Sequence, residues 1–121
     1  MNNYIKKILP LAVSQAKKSS MIHKHGAIVF KQKTILGAGF NQHNSPPHNK
    51  RKLSIHSEKN ALLGLRQDQI YGASVLAIRV NNSGKLISCA PCKGCTKLMK
   101  RKGIKKCYWF DQNNNLNCTY Y

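Results

Sequence analysis

Acidic side chains are scarce in this sequence. Its 121 residues include three Asp and Glu together against 21 Lys and Arg, which gives a formal net charge of +18 at pH 7. An A/T-rich genome tends to encode much lysine and asparagine, so the excess of bases alone is ambiguous. Such a genome still encodes acids freely, and their depletion leaves the positive field unneutralised. We therefore expect the partners to be phosphorylated small molecules or nucleic acid.

Long apolar runs and an even set of cysteines are also missing. No stretch approaches the ~20 residues of a membrane span, and Lys6, Lys7 and Pro10 interrupt the N-terminal segment that a secretion signal would need. Five cysteines without an export signal argue against a disulfide framework and favour metal or thiol chemistry in a reducing compartment. We expect a cytoplasmic protein that has no contact with a membrane.

Hydrophobic periodicity predicts helices and strands in alternation. One helix is predicted over residues 4–18, either kinked at Pro10 or beginning there, and a second over 56–65. A third begins at Pro91, since proline fits the first helical turn, and ends near Gly103. The predicted strands are 27–30, 34–40, 74–80, 86–88, 106–110 and 116–121, and residues 42–54 are predicted to be a surface loop.

The connection between the last two predicted strands is short. Only residues 111–115 separate them, and a parallel return needs a dozen or more residues, so the two strands must pair antiparallel. With 41% hydrophobic residues, the chain permits one compact core. We therefore predict a single domain over residues 1–121, of class α/β, with three layers (α/β/α), a mixed sheet of about five strands and a C-terminal antiparallel hairpin.

Two short motifs carry residues suited to zinc chemistry. Cys92 and Cys95 are three positions apart near the start of a predicted helix, so both sulfurs can face one metal ion. His56 begins the other helix and would be the third ligand. Two thiolates and an imidazole leave a fourth position on Zn²⁺ for water, as in catalytic sites. Glu58, the sole glutamate, follows His56 by two residues and is predicted to move protons.

A closed structural zinc site is the main alternative. Cys89 is three residues before Cys92, so Cys89, Cys92, Cys95 and His56 could supply four ligands. Such a site needs no glutamate, and the position of Glu58 argues against it.

The other thiols and imidazoles are predicted to have no catalytic role. Cys89 is expected to be a small buried residue at a strand end, and Cys107 and Cys118 to be core or exposed thiols. The remaining histidines are expected to be surface or structural groups, although two of them precede a strand that could border a pocket: His23, His25, His43 and His48.

The motif His56-x-Glu58 followed by Pro91-Cys92-x-x-Cys95 resembles the H-x-E and P-C-x-x-C signature of the zinc-dependent cytidine and deoxycytidylate deaminase superfamily. Segments 26–29, 39–41, 97–99 and 103–106 extend the resemblance over roughly residues 20 to 110. It implies a cytidine-deaminase-like fold, one catalytic Zn²⁺ held by His56, Cys92 and Cys95, and Glu58 as the catalytic residue.

The resemblance also implies residues that bind the substrate. The asparagine that ends the second strand contacts the nucleoside in relatives, so Asn41 carries that role by position, with Phe40 as a stacking candidate. Ser57 and Pro91 belong to the same pocket. Ser57 is a departure, because the family usually has alanine there. The short link between the last two strands is a second departure, since it resembles the cytidine deaminase branch rather than deoxycytidylate and tRNA adenosine deaminases, which have a helix there.

The activity that the resemblance implies is hydrolysis of a cytosine base to uracil with release of ammonia. The expected substrate is a free cytidine or deoxycytidine nucleoside or nucleotide, with Lys50, Arg51 and Lys52 as candidate phosphate contacts. Two alternatives remain open: a cytosine or adenine within single-stranded RNA or DNA, and a non-catalytic, zinc-stabilised module that binds nucleic acid. An oligomer is compatible with each.

Overall fold

The computed structural model describes residues 2–43 and 54–121. None of the described helices is long and apolar enough to cross a membrane. The elements are α1 (Asn3–Lys17), β1 (Lys24–Lys31), β2 (Thr34–Phe40), β3 (Gln42–His43), β4 (Ser54–Ile55), α2 (Ser57–Leu62), α3 (Gln67–Ile70), β5 (Ser74–Val80), β6 (Leu86–Ile87), α4 (Lys93–Arg101), β7 (Lys106–Phe110) and β8 (Leu116–Tyr120).

Six strands form the main sheet. Its order is β2-β1-β5-β7-β8, and β6 pairs with the C-terminal end of β5. Strand β1 is antiparallel to both β2 and β5, whereas β5 and β7 are parallel and are connected through α4, as a parallel pair requires. The last two strands, β7 and β8, pair antiparallel. The mixed sheet and the C-terminal hairpin are therefore confirmed, with six strands instead of about five.

Strand alternation divides the core between two faces of the sheet. Successive side chains of a strand point to opposite faces, so Ile28 and Leu76 face α1 whereas Ala27 and Ala77 face α2 and α4. Each face has its own buried cluster. The helices on both sides of the sheet confirm the three-layer α/β/α architecture.

Helix α1 covers the first face along its whole length. The side-chain oxygen of Asn2 accepts the Tyr4 N–H at 2.8 Å and so caps the helix at its start. Pro10 lies exposed inside α1, so the alternative that the helix begins at Pro10 is wrong. The buried stripe of the helix is Ile5, Ile8, Ala12 and Ala16.

Two glycines let helices approach the sheet closely on opposite faces. A methyl group on Gly39 would lie 2.5 Å from the backbone nitrogen of Ala61 in α2. A methyl group on Gly26 would collide with the carbonyl oxygen of Ala12 in α1. The absence of a side chain at Gly39 therefore sets how close α2 lies to the sheet.

Two helices differ from the predicted bounds. Pro91 precedes α4, because Cys92 has an extended backbone and its Sγ accepts the Cys95 N–H at 3.4 Å, which makes Cys92 the N-cap. The prediction that Pro91 begins the helix is wrong by two residues. Helix α2 ends at Leu62, since Leu63 is extended and Gly64 has a φ of +79°. The single-turn helix α3 was not predicted.

The predicted surface loop contains a short ladder at its ends. Strands β3 and β4 pair antiparallel, Gln42 opposite Ile55, so residues 42–43 and 54 are not loop. Residues 44–53 lie outside the described residues, and the predictions for His48 and for the basic run 50–52 fall there.

Candidate active site

Three metal-binding side chains meet between α2 and α4. The Nδ1 atom of His56 lies 3.2 Å from the Sγ atom of Cys95 and 3.4 Å from the Sγ atom of Cys92. All three donor atoms lie within 4.8 Å of one another. With zinc–ligand bonds of ~2.0–2.3 Å in a tetrahedron, donor atoms are roughly 3.3–3.8 Å apart. The group therefore fits one zinc ion.

The helix starts bring these donors together. His56 is the residue before α2 and Cys92 is the residue before α4, each with an extended backbone. Cys95 lies in the first turn of α4 on the same side as Cys92, as the spacing of three predicts. Cys95 is buried, whereas His56 and Cys92 are exposed. An ion held here would be anchored on the protein side and reachable from solvent.

The local electrostatics oppose ionisation of Cys95 without a metal. Burial raises the pKa of the Cys95 thiol, and the negative charge of Glu58 raises it further. The positive charge of a zinc ion would reverse this balance, because metal ligation deprotonates a thiol outright. Zinc binding therefore releases protons and weakens as the pH falls.

Cys89 is not part of the donor group formed by the described residues. Its Sγ lies 3.3 Å from Nδ1 of His25, and burial, with the negative charge of Glu58, raises the pKa of the Cys89 thiol to about 12. The Cys89 sulfur therefore contacts His25. The closed four-ligand site is not what the residues in 2–43 and 54–121 form, and three ligands leave a fourth position for water.

Glu58 lies in the first turn of α2, next to His56. Because His56 is extended and not helical, a spacing of two residues still allows both side chains to reach one cleft. Glu58 is 6% exposed, and the hydroxyl of Ser57 donates a hydrogen bond of 2.5 Å to its Oε1. The residue that departs from the family's usual alanine thus contacts the carboxylate of Glu58 directly.

A cleft of about 220 Å³ opens onto the donor group and Glu58. Asn41 lies on its wall and is almost fully buried. Its Oδ1 accepts the His25 N–H at 2.8 Å, and its Nδ2 donates to the His23 carbonyl at 2.6 Å. The cleft is lined by Met21, His23, His25, Asn41, His56, Ser57, Glu58, Cys89, Ala90 and Cys92.

The structure brings five of the predicted site residues to this cleft, namely Asn41, His56, Ser57, Glu58 and Cys92, while Cys95 lines the neighbouring groove. Phe40 is opposite Gly26 in the antiparallel pair, and Gly26 faces α1, so Phe40 lies on the other face of the sheet and is absent from the lining. The stacking role predicted for Phe40 is therefore wrong. Pro91 is also absent from the lining, although both of its neighbours belong to it. Lys50, Arg51 and Lys52 lie outside the described residues.

Two of the histidines that were expected to be surface or structural groups, those preceding a strand that could border a pocket, line the cleft. His23 and His25 precede and begin the apolar part of β1, and they are two residues apart, so alternation places both on the face of α2. Burial lowers the pKa of His25, and the positive charges of Arg79, His56 and His23 lower it further against the opposing effect of Glu58. The signal in the sequence was the polar pair at the start of an otherwise apolar strand.

Comparison with known families agrees with this geometry. The family model for the cytidine and deoxycytidylate deaminase zinc-binding region matches residues 2–111. The chain belongs to this family. A search of curated proteins gave no match.

Solved structures of deaminases share the fold. The apo dCMP deaminase from the cyanophage S-TIM5 has a TM-score of 0.67 and 25% identity, covering 92% of this chain and 85% of that one. The cytidine deaminase from Burkholderia pseudomallei has a TM-score of 0.71 and 17% identity, covering 95% and 91%. The cytidine deaminase from Mycobacterium leprae has a TM-score of 0.66 and 18% identity, covering 98% and 93%. This member of the family is a zinc-dependent hydrolytic deaminase, and its donor group fits one catalytic zinc ion.

Proposed function

We propose that this deaminase converts the cytosine base of a free cytidine-type nucleoside or nucleotide to uracil, with Glu58 as the catalytic residue and His56, Cys92 and Cys95 as the zinc ligands. One observation carries the proposal: the buried carboxylate of Glu58 and the ligands His56 and Cys92 line the same cleft of about 220 Å³.

Glu58 moves the protons of the reaction. When bound, a zinc ion lowers the pKa of water and so supplies a nucleophile at neutral pH. A carboxylate oxygen of Glu58 would take one proton from the attacking water and deliver it to the adjacent ring nitrogen, while the water oxygen bonds to C4 of the base. Glu58 would then take the second proton from the new C4 hydroxyl and deliver it to the amino group, so that the C4–N bond breaks, a C4 carbonyl forms and ammonia leaves. Its buried position keeps competing bulk water away from these transfers.

Ser57 and Asn41 hold the reacting groups in place. The Ser57 hydroxyl donates to Oε1 of Glu58, which leaves Oε2 as the carboxylate oxygen without that bond. Hydrogen bonds to the backbone of His23 and His25 fix the Asn41 amide, so a substrate atom would contact a side chain of fixed orientation. Such preorganisation lowers the entropy cost of aligning the base.

The test is a substrate panel with the zinc-loaded protein. Cytidine, deoxycytidine, CMP and dCMP are incubated beside oligonucleotides that contain cytosine or adenine, and ammonia release and product mass are recorded. We expect ammonia from at least one free cytosine substrate and none from the same samples with Glu58→Gln. Ammonia from no substrate, with zinc bound, would contradict the proposal.

A base within single-stranded nucleic acid is the second candidate. A neighbouring groove of about 300 Å³ shares His56 and Cys92 with the cleft and is lined on its far side by Lys59 and Arg101. Phosphates of a strand whose base entered the cleft could follow this groove. Binding that weakens steeply with added salt would favour the strand, whereas weak salt dependence would favour the free substrate.

A further inference from the structure

We propose that His23, which lines the cleft, and Arg79, which contacts His23, bind the phosphate of the substrate, so that the enzyme prefers a cytosine nucleotide to the nucleoside. This inference rests on the proposed function, since it assigns a subsite to the same cleft. Its evidence is separate, because it comes from β1 and β5 and not from the zinc ligands.

Along the two central strands, β1 and β5, the side chains change from apolar to polar where the strands leave the core. Residues that face each other in β1 and β5 point to the same face of the sheet, here the face of α2. Two apolar pairs inside the core are followed by a polar pair, of which His25 lines the cleft. The successive pairs are Val29 with Val75, Ala27 with Ala77, and His25 with Arg79.

The side chain of Arg79 has a charge that no carboxylate balances. Its Nη2 atom donates to Nδ1 of His23, and its Nε atom is buried without an acceptor in residues 2–43 and 54–121. All three acids are described, and the ion pair found among them joins Asp68 to Arg66 at 3.3 Å. A partly buried cation without a counter-ion is costly unless an anion pairs with it. Because His23 lines the cleft and contacts Arg79, an anion that reaches His23 from the cleft lies next to this guanidinium.

The hydrogen-bonding pattern leaves donors but few acceptors at this edge. Arginine can only donate, so Nδ1 of His23 accepts and the proton of a neutral His23 lies on Nε2. An imidazole N–H beside a guanidinium matches the acceptor oxygens of a phosphate, which arginine binds strongly.

The subsite also lies on the correct side of the cleft for a phosphorylated sugar. Asn41, which we place beside the sugar, donates through Nδ2 to the backbone carbonyl of His23 at 2.6 Å. A nucleotide with its base at Glu58 and its sugar at Asn41 would therefore carry its phosphate toward His23 and Arg79.

The test is binding of reaction products, which needs no turnover. Calorimetry of the zinc-loaded full chain compares dUMP with deoxyuridine. We expect dUMP to bind the unaltered protein about 10-fold or more tightly than deoxyuridine, since hydrogen bonds to charged groups contribute that much. Arg79→Met should reduce this ratio to about 1 to 3 without changing the affinity for deoxyuridine, and Arg79→Lys should restore part of it.

Arg66→Met is the matched control, because Arg66 lies on the exposed end of α3 and its loss should leave the ratio unchanged. An equal affinity of the unaltered protein for dUMP and deoxyuridine, or a ratio unaffected by Arg79→Met, would overturn the inference. If Arg79→Met weakens a short oligo-dU but not dUMP, the phosphate is that of a strand and the nucleotide assignment is wrong. Loss of ammonia release with the dUMP preference intact would instead contradict the proposed function alone.

Discussion

The two faces of the sheet differ in what they do, although the same strands build both. On the face of α1, the buried cluster is apolar and aromatic, and the helix packs on the strands β1, β2 and β5. On the face of α2 and α4, the apolar cluster stops short, and polar residues continue the same rows into a cleft. One face therefore contributes mainly to stability, whereas on the other face polar residues that line the cleft replace part of the apolar core.

Loss of a zinc ligand should have the largest effect on this contrast. Cys95→Ser replaces a thiolate that lies 3.2 Å from Nδ1 of His56. We expect zinc affinity to fall by more than the 10- to 100-fold that an outer-shell change costs, and activity to become undetectable. Metal analysis and ammonia release measure the two effects.

Cys118→Ser is the control, since Cys118 packs against the α1 cluster. It should keep both zinc and activity. A Cys95→Ser protein that retains one zinc ion per chain would mean that the ligand assignment is incorrect.

Removal of the carboxylate should come next. Glu58→Gln keeps the shape of the side chain but cannot move protons, so we expect kcat to fall by ~10²–10⁴-fold with zinc content unchanged. Steady-state ammonia release measures it. Asp68→Asn, a change at an exposed acid, should have no effect on kcat. Full activity in Glu58→Gln would exclude the proton transfers assigned to Glu58.

Adding one methyl group on each face tests the two faces against each other directly. The methyl group of Gly39→Ala would collide with the backbone of Ala61 in α2, and that of Gly26→Ala with the backbone of Ala12 in α1. Both should lower the free energy of unfolding by about 1–3 kcal/mol. Only Gly39→Ala should also lower kcat, by ~10²-fold, because α2 carries Glu58 and a displacement of about 1 Å costs that much.

Denaturant unfolding and kinetics at a temperature where both variants are folded provide the measurements. If both variants lose kcat equally, the two faces are coupled and the division between them is not valid.

The smallest effect is expected in the turn of the terminal hairpin, residues 111–115, which belong to neither cluster. The side-chain amide of Asn117 and the N–H groups of Asn115 and Asn113 donate to Asp111 and lower its pKa. A carboxyl with a lowered folded-state pKa stabilises the fold above its unfolded pKa of ~3.9, and this contribution is lost as the pH falls through the folded value. Amide proton shifts of Asn113 and Asn115 should titrate with a midpoint below ~3.9. A midpoint at or above that value would contradict the role of the three donors.

Much of the fold followed from local patterns. The strand over residues 74–80, the hairpin of β1 and β2 and the C-terminal hairpin agree with the structure, because apolar runs and short connections constrain pairing directly. Helix starts were less accurate. Pro91 is a common first helical residue, but the Cys92 sulfur accepts a backbone N–H and so acts as the cap.

The metal ligands of the candidate site could be predicted from the sequence, whereas most other residues that line the cleft could not. His56, Cys92 and Cys95 are close in space as their spacing indicates. His23 and His25 were assigned no role, and Arg79 was not considered, because nothing local shows that β1 and β5 are neighbours in a register that pairs His25 with Arg79. Phe40 was named as a stacking candidate although it does not line the cleft, because the face on which it lies depends on its partner Gly26, which only the sheet register gives.

The sequence by itself determined the metal chemistry: a His-x-Glu motif and a Cys-x-x-Cys motif supply three ligands and one carboxylate whose types and spacings suit zinc and proton transfer. Only the tertiary structure decided which further side chains share the cleft. Helix spacing acts within one turn, whereas the meeting of His23, His25, Cys89 and Arg79 depends on strand order and register across the whole sheet.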